Sequence, residues 1–147
     1  MNSFAFATGV ITAVLIIGYF KKTKLQHSRL AYPLLLASFP VYYFVFAVYA
    51  GDTTAFINET GTGIIFIAIS LLAIYSKRKN AALMVGAGCI LHAAYDAYHD
   101  VFFINQGTPA WWPEFCGSID LILGVYLIYL ALNTMSTGRA LQNNAVD

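Results

Sequence analysis

The sequence predicts an all-α integral membrane protein, built as a bundle of five transmembrane helices. Of its 147 residues, 59% are hydrophobic and only 10% are charged, and the mean hydropathy is +0.67. These proportions do not describe the surface of a soluble domain. Five windows each supply the roughly 20 mostly apolar residues that a helix needs to cross a bilayer. Short polar segments separate the windows.

The first two windows predict helices with different features. The first covers about Ser3 to Phe20. No basic segment precedes it and no small-residue cleavage motif follows, so we expect a retained helix and not a signal peptide. The second covers about Leu30 to Ala50. Pro33 falls in its first turn, where proline is tolerated, whereas the interior Pro40 predicts a kink.

The remaining windows predict helices three, four and five. The third covers about Ala55 to Tyr75 and the fourth about Ala81 to Ile104. The longest loop follows, over 105–115, and contains two prolines and two tryptophans. The fifth predicted helix covers about Cys116 to Asn133.

The lysines and arginines predict the orientation. All eight follow predicted helix one, three or five, and basic residues mark the cytoplasmic side of membrane proteins. Five crossings place these three segments on the same side. We therefore predict an outside N-terminus, a single transmembrane domain over 1–133 and a polar cytoplasmic tail over 134–147. The expected location is the cell membrane, with the lipid bilayer as the surrounding partner.

Two classes of interaction are not expected. The basic residues are not clustered with stacking aromatic side chains, so we exclude a nucleic-acid partner. The predicted topology puts Cys89 near the middle of the membrane and Cys116 near one interface. A disulfide between them is therefore not expected. No pattern in the sequence predicts the oligomeric state.

Residues 91–100, with the sequence LHAAYDAYHD, are the first candidate functional site. On a helix turning about 100° per residue, His92, Asp96 and His99 fall within an arc of about 60°, with Asp100 at its edge. Ionisable side chains within transmembrane segments are rare and face the protein interior or a wet cavity. This face of the fourth helix therefore indicates a functional site.

Acidic residues on two other helices reach similar depths. Glu59 and Asp120 each lie about 6 Å inside the outer ends of the third and fifth predicted helices. Neither would be stable facing lipid, so we expect one shared cavity that opens to the outside. Gly63, Gly88 and Gly124 lie close to these residues in sequence and predict close approach of the helix backbones.

Two motifs also resemble those of domain-of-unknown-function family 6010, a group of small multi-pass membrane proteins. The first resembles a Leu-His-x-x-Trp-Asp-x-x-His run, with Tyr95 at the tryptophan position; some members carry a histidine where this chain has Asp100. The second resembles a loop of prolines and aromatic residues that leads into Cys-x-x-x-Asp. It falls on Pro109, Trp111, Trp112, Pro113, Cys116 and Asp120. The resemblance implies a membrane fold and location, and no chemistry.

The polar residues favour a site for a divalent metal such as zinc, iron or manganese. His92 and His99 are two turns apart, about 10 Å along the helix, so we do not expect both on one ion. The expected ligands are Glu59, Asp96, His99 and Asp120, with His92 deeper as an outer partner or proton relay. An open position on the ion would activate water. A membrane hydrolase is then the expected enzyme class, with His92 or His99 as the acid/base.

Four further residues are candidates for contact with a small-molecule or lipid ligand: Tyr42, Tyr95, Trp111 and Cys116. Trp111 and Cys116 each have a structural alternative. Tryptophan anchors helices at the membrane interface, and a small cysteine can simply pack.

Two other functions remain open. The polar residues could form a structural core in which aspartate and histidine side chains satisfy one another and fix the helix register. They could also form a proton or ion path. The inner half of the predicted helices has almost no ionisable residue that would continue such a path.

Overall fold

The described part of the protein consists of helices, in agreement with the predicted fold class. A computed structural model describes residues 2–143, with side chains described for 2–133. A short 3₁₀ turn, Leu25–His27, follows the first helix, and no strand occurs within 2–143. The five helices are α1 (Ser3–Lys22), α2 (Ala31–Ala50), α3 (Thr53–Tyr75), α4 (Arg78–Phe102) and α5 (Trp112–Asn143).

Four of the helices are long and apolar enough to cross a membrane: α1, α2, α3 and the Trp112–Asn133 part of α5. At 25 residues α4 is long enough, but its histidines and carboxylates make it less apolar than the others. Large apolar side chains such as Leu15 (66% exposed) and Leu72 (61% exposed) face outward from the bundle. These features are those of a membrane protein.

The helix boundaries differ most from prediction in α5. The helix begins at Trp112, four residues before the predicted start, and continues beyond Asn133 to Asn143. Pro113 suits the first turn because its missing N–H has no helical partner to lose. Glu114, also in that turn, faces the positive end of the helix dipole. Of the predicted polar tail, the side chains of 134–143 and all of 144–147 lie outside the described residues.

Local signals explain several helix ends. The Asn2 side chain caps α1 by accepting a hydrogen bond from the backbone of Ala5 at 3.1 Å. Asp52 caps α3 in the same way, with the backbone N–H of Ala55 at 2.9 Å. Gly51 ends α2 with a φ of 66°, a left-handed conformation that glycine adopts without a Cβ penalty.

The fourth helix lies at the centre of the bundle. It packs against α5 most extensively and also against α3 and α2, while α1 packs on α5 and α2 packs on α3. Two glycines bring α4 and α5 together. A Cβ placed on Gly124 would lie 2.8 Å from the Gly86 carbonyl oxygen, and a Cβ on Gly86 would lie 3.0 Å from the Gly124 carbonyl oxygen. The two backbones therefore touch, one to two turns from the polar residues of both helices.

Candidate metal centre

Four side chains from α4 and α5 form a compact buried group, which we call the His92 cluster. It consists of His92 and Asp96, one turn apart on α4, and Cys116 and Asp120, one turn apart on α5. Their potential ligand atoms all lie within 4.8 Å of one another. None of the four is more than 3% exposed. The close crossing at the two glycines positions the facing turns that carry them.

The imidazole of His92 faces two carboxylates. Its Nδ1 lies 2.6 Å from Asp120 Oδ2, a hydrogen bond in which the ring N–H donates, and 3.5 Å from Asp96 Oδ2. The hydroxyl of Tyr43, on α2, donates to Asp96 Oδ1 at 2.7 Å. The ring of Phe66, from α3, lies edge-on to the imidazole with 4.6 Å between centroids. The cluster thus combines two acidic groups, a thiol and an imidazole, with an aromatic ring packed against the imidazole.

Several polar atoms of the cluster lack a hydrogen bond. Among the described residues, His92 Nε2, Asp96 Oδ2 and Asp120 Oδ1 are buried and have no hydrogen-bond partner. A buried polar atom left unpaired costs about 1–3 kcal/mol. Three such atoms in one cluster are compatible with a bound ion or with ordered water. A bound cation is one solution, because it would neutralise the carboxylates and accept their lone pairs.

A second buried group, which we call the Glu59 cluster, consists of Glu59, Tyr95, His99 and Asn105. Glu59 Oε2 accepts a hydrogen bond from the Tyr95 hydroxyl at 2.7 Å. Its Oε1 lies 2.8 Å from His99 Nε2 and accepts from Asn105 Nδ2 at 3.0 Å. Both carboxylate oxygens are therefore hydrogen-bonded. His99 Nδ1 faces Asp100 at 3.2 Å, and the Asp100 side chain is 84% exposed.

Tyr43 connects the two clusters. Its hydroxyl bonds to Asp96, and its ring stacks on the His99 imidazole with 4.5 Å between centroids and 18° between planes. Its carbonyl oxygen accepts a hydrogen bond from Asn105 Nδ2 at 3.2 Å. Through this side chain α2 contacts both polar clusters, and the hydrogen bonds fix its position relative to α4.

The predicted ligand set is divided between the clusters. Asp96 and Asp120 lie together in the His92 cluster, whereas Glu59 and His99 bond to each other in the Glu59 cluster. His92, predicted to be an outer partner, supplies one of the grouped ligand atoms. The start of α5 explains the difference. Counted from Trp112, Asp120 lies about 12 Å along its helix and not about 6 Å, which brings it level with the deeper part of the α4 face.

The four predicted ligand-contact residues are also divided. Tyr95 belongs to the Glu59 cluster and Cys116 to the His92 cluster. Tyr42 is 47% exposed, and its ring packs 5.0 Å from that of Trp112. Trp111 is 44% exposed and contacts the rings of Trp112 and Phe115. The described contacts of Tyr42 and Trp111 thus lie away from both clusters.

Two residues, Tyr43 between the clusters and Asn105 in the Glu59 cluster, were not predicted. Tyr43 lies on a buried stripe of α2 with Leu36, Phe39 and Ala47, whose helical spacing was available in the sequence. However, apolar residues surround α2, so no polar face showed which of Tyr42 and Tyr43 points inward. Asn105 lies just after α4, and a polar residue at a helix end is typical of a surface loop. Its 4% exposure shows that it folds back into the core.

The clusters are closed to solvent instead of lining the open cavity expected from the sequence. His92, Asp96, His99 and Asp120 are each 0–1% exposed, and Glu59 is 2% exposed. Rings of Phe39, Phe66 and Phe103 pack against the two histidines. Any ligand larger than an ion would require the helices to move.

No protein family model, curated protein or solved structure matches this chain. Membership of family 6010 therefore stays a prediction from the two motifs. What the site can do has to be judged from its own geometry.

The His92 cluster is about the size of a tetrahedral metal site. Zinc bonds of about 2.0–2.3 Å place the four ligand atoms about 3.3–3.8 Å apart. The cluster holds its potential ligand atoms within 4.8 Å of one another, so the most distant of them would have to move inward by about 1 Å. If His92 Nδ1 and Asp120 Oδ2 are both ligands, the ion would replace their 2.6 Å hydrogen bond and these two atoms would move apart. A mixture of nitrogen, sulfur and oxygen ligands suits zinc or iron better than manganese, which prefers oxygen.

Proposed function

We propose that this chain is a five-span protein of the cell membrane that binds a divalent metal at the His92 cluster, with zinc as the best-fitting ion. The observation that carries the proposal is the convergence of His92, Asp96, Cys116 and Asp120 within 4.8 Å in a buried site. Three of these side chains carry a buried polar atom with no hydrogen-bond partner among the described residues.

The position of α4 supports a fifth span. Its 25 residues extend about 37 Å, longer than the roughly 30 Å hydrocarbon core of a bilayer. His92, Asp96 and His99 face α5, α2 and α3, so they would not contact lipid. The exposed Asp100 lies two residues before the end of the helix. The basic residues after α1 and α3 support the proposed orientation, with the N-terminus outside and the C-terminus inside.

If all four side chains bound the ion, they would complete a closed structural zinc site. The metal would supply a Lewis acid that polarises a carbonyl or phosphoryl oxygen only if one of the four left a coordination position open. Hydrolysis of a lipid or small molecule at the outer half of the membrane is the reaction class that this chemistry supports. If His92 is a ligand, it is not also the acid/base. His99 then takes that role in the proposal. Its Nε2 faces Glu59 and its Nδ1 faces the exposed Asp100, so it would have to release one of these two bonds to exchange a proton with a substrate.

The hydrogen bonds also favour a second candidate, a structural polar core. Tyr43 joins α2 to α4, and Tyr95 and His99 join α4 to Glu59 on α3. Such bonds between transmembrane helices fix their register without any bound ligand. This alternative accounts for the Glu59 cluster well, since both oxygens of Glu59 are satisfied. It leaves the unpaired atoms of the His92 cluster without an explanation.

Elemental analysis of the purified full chain separates the two candidates. The protein would be prepared in detergent without chelator, together with Asp120→Asn and Cys116→Ser variants and the matched control Glu59→Gln from the other cluster. Metal binding predicts about one zinc or iron per chain in the wild type and the control, and a strong loss in both cluster variants. Circular dichroism would establish that each variant is folded.

A metal-free wild type that also fails to take up added zinc would refute the proposal. If the protein then remained folded and Tyr43→Phe destabilised it, the structural core would be the better explanation. Metal that survives in both the Asp120→Asn and the Cys116→Ser variants would place the ion elsewhere and also contradict the proposal.

A further inference from the structure

A cavity of about 360 Å³ lies at the end of the bundle opposite to the Glu59 cluster. It is lined by the segment after α1, the first turns of α2 and α4, the end of α3 and the later part of α5. Four basic or ionisable side chains line its rim: His27, Arg29, Arg78 and Lys79. None of its described lining residues is acidic. Its volume is at the lower end of the roughly 300–1,000 Å³ typical of small-molecule sites.

The floor of the cavity is apolar. Val85 on α4 and Leu127 and Ala131 on α5 line it, and each is at most 2% exposed. The cavity therefore has two chemically distinct parts, a cationic mouth and a hydrophobic interior. A ligand that matches both parts is an amphiphile with an anionic head.

Specific hydrogen bonds build the mouth of the cavity. The Arg78 guanidinium donates to the His27 imidazole, which joins the start of α4 to the segment after α1. The Tyr126 hydroxyl donates to Gln26 Oε1 at 3.1 Å and fixes the same segment to α5. The residues that precede α2 and α4, Leu30 and Lys77, provide no side-chain cap. Uncapped N–H groups at helix starts attract anions.

Tyr32 gives an independent indication of a polar ligand. It lines the cavity, is 6% exposed, and within the described part of the chain its buried hydroxyl has no hydrogen-bond partner. A buried hydroxyl without a partner carries a desolvation cost. The oxygen of an anionic head group would accept its hydrogen bond.

We propose that this cavity binds an anionic phospholipid, with the phosphate between Arg29, Arg78 and Lys79 and the start of an acyl chain on the apolar floor. The inference rests on the proposed membrane location but not on the metal site. The basic residues that follow α1 and α3 set the level of the cavity at the cytoplasmic interface. Anionic lipids are concentrated in that leaflet, and each nearby basic residue attracts them. A free phosphate would leave the apolar floor unused.

Binding of short-chain phosphatidylglycerol to the full-length protein in neutral detergent tests the proposal, with short-chain phosphatidylcholine, glycerol phosphate and inorganic phosphate as comparison probes. The rim variant is Arg78→Gln/Lys79→Gln. Its matched control is Lys22→Gln/Lys24→Gln, which removes the same charge from exposed lysines at the same end of the protein. Dissociation constants would be obtained by native mass spectrometry.

We expect phosphatidylglycerol to bind more tightly than the other three probes. Loss of the two charged donors at the rim should weaken the affinity for phosphatidylglycerol about tenfold or more. The control variant should change this affinity less than about twofold. Ala82→Leu fills the cavity without changing its charge, so it should weaken binding too. This variant replaces the rim variant in the test if the rim variant does not fold. Equal loss in the rim and control variants, unchanged binding in Ala82→Leu, or equal binding of phosphatidylcholine would overturn the proposal. Binding of glycerol phosphate as tight as that of the lipid would replace the lipid with a soluble phosphate.

Discussion

Replacing Gly124 with alanine should force α4 and α5 apart where their backbones touch. The new Cβ would lie 2.8 Å from the Gly86 carbonyl oxygen and 2.7 Å from Ile90 Cγ1, whereas ordinary contact begins at 3.4 Å. The shortfall against the carbonyl is therefore about 0.6 Å. Because a backbone oxygen cannot rotate away, the helices must separate. Overpacking of this kind costs about 1–3 kcal/mol of the free energy of unfolding.

The separation should also weaken metal binding. Asp120 lies one turn before Gly124. The potential ligand atoms already lie up to 4.8 Å from one another, whereas the ligands of a tetrahedral zinc site lie about 3.3–3.8 Å apart. A wider crossing increases the movement that the ligands must make. We expect zinc affinity to fall about tenfold or more, as when residues that position metal ligands are changed.

Two glycines provide matched controls for this experiment. A Cβ on Gly18 or Gly61 would meet nothing within 4 Å. Alanine at either position should leave zinc affinity unchanged and raise the free energy of unfolding by up to about 1 kcal/mol, because glycine is a poor helix residue. Stability would be measured by denaturant titration in mixed micelles and zinc affinity by competition with a chelator. If Gly124→Ala behaved like the two controls, the close crossing would not be what positions the site.

Three further predictions test other parts of the structure. Tyr43→Phe should lower the free energy of unfolding by about 1–3 kcal/mol, because Asp96 loses its hydrogen-bond donor. The control Tyr42→Phe should change the free energy of unfolding by no more than about 0.5 kcal/mol. Equal effects of the two substitutions in denaturant titration would contradict the inward position of Tyr43. Zinc affinity should fall as the pH is lowered, because protons compete for the ligands; calorimetry that shows a constant affinity and no proton release would exclude metal binding to these groups. A cysteine at Thr53 should react with a membrane-impermeant thiol reagent in intact cells and one at Lys22 only after lysis, and the opposite pattern would reverse the proposed orientation.

The helices could be predicted because their apolar length is a property of each segment alone. The polar face of α4 could also be predicted, since His92, Asp96 and His99 share one side of any regular helix. Which side chains of α4 and α5 lie at the same level could not be predicted, because it depends on where α5 begins. Four residues of the presumed loop are helical, and this shift changes the level of Asp120 relative to α4 by about one turn.

The sequence could not show whether Tyr42 or Tyr43 points into the bundle, for a different reason. A helix that is apolar all round has no face that marks its inside, so only packing determines which side chain points inward. Asn105 was missed because its role comes from a distant partner, Glu59, and not from its neighbours in the chain. The contacts that divide the site into two clusters are tertiary.

The low hydropathy of α4 has a consequence for how the protein is made. An aspartate near the middle of a membrane helix opposes insertion by about 2.5–3.5 kcal/mol, and α4 carries Asp96 together with His92. The helix that covers most of these groups is α5, which is synthesised after it. If α4 is the fifth span that we propose, we expect it to enter the bilayer together with α5 as a hairpin. On this view, membrane integration of α4 and assembly of the His92 cluster are one step of biogenesis.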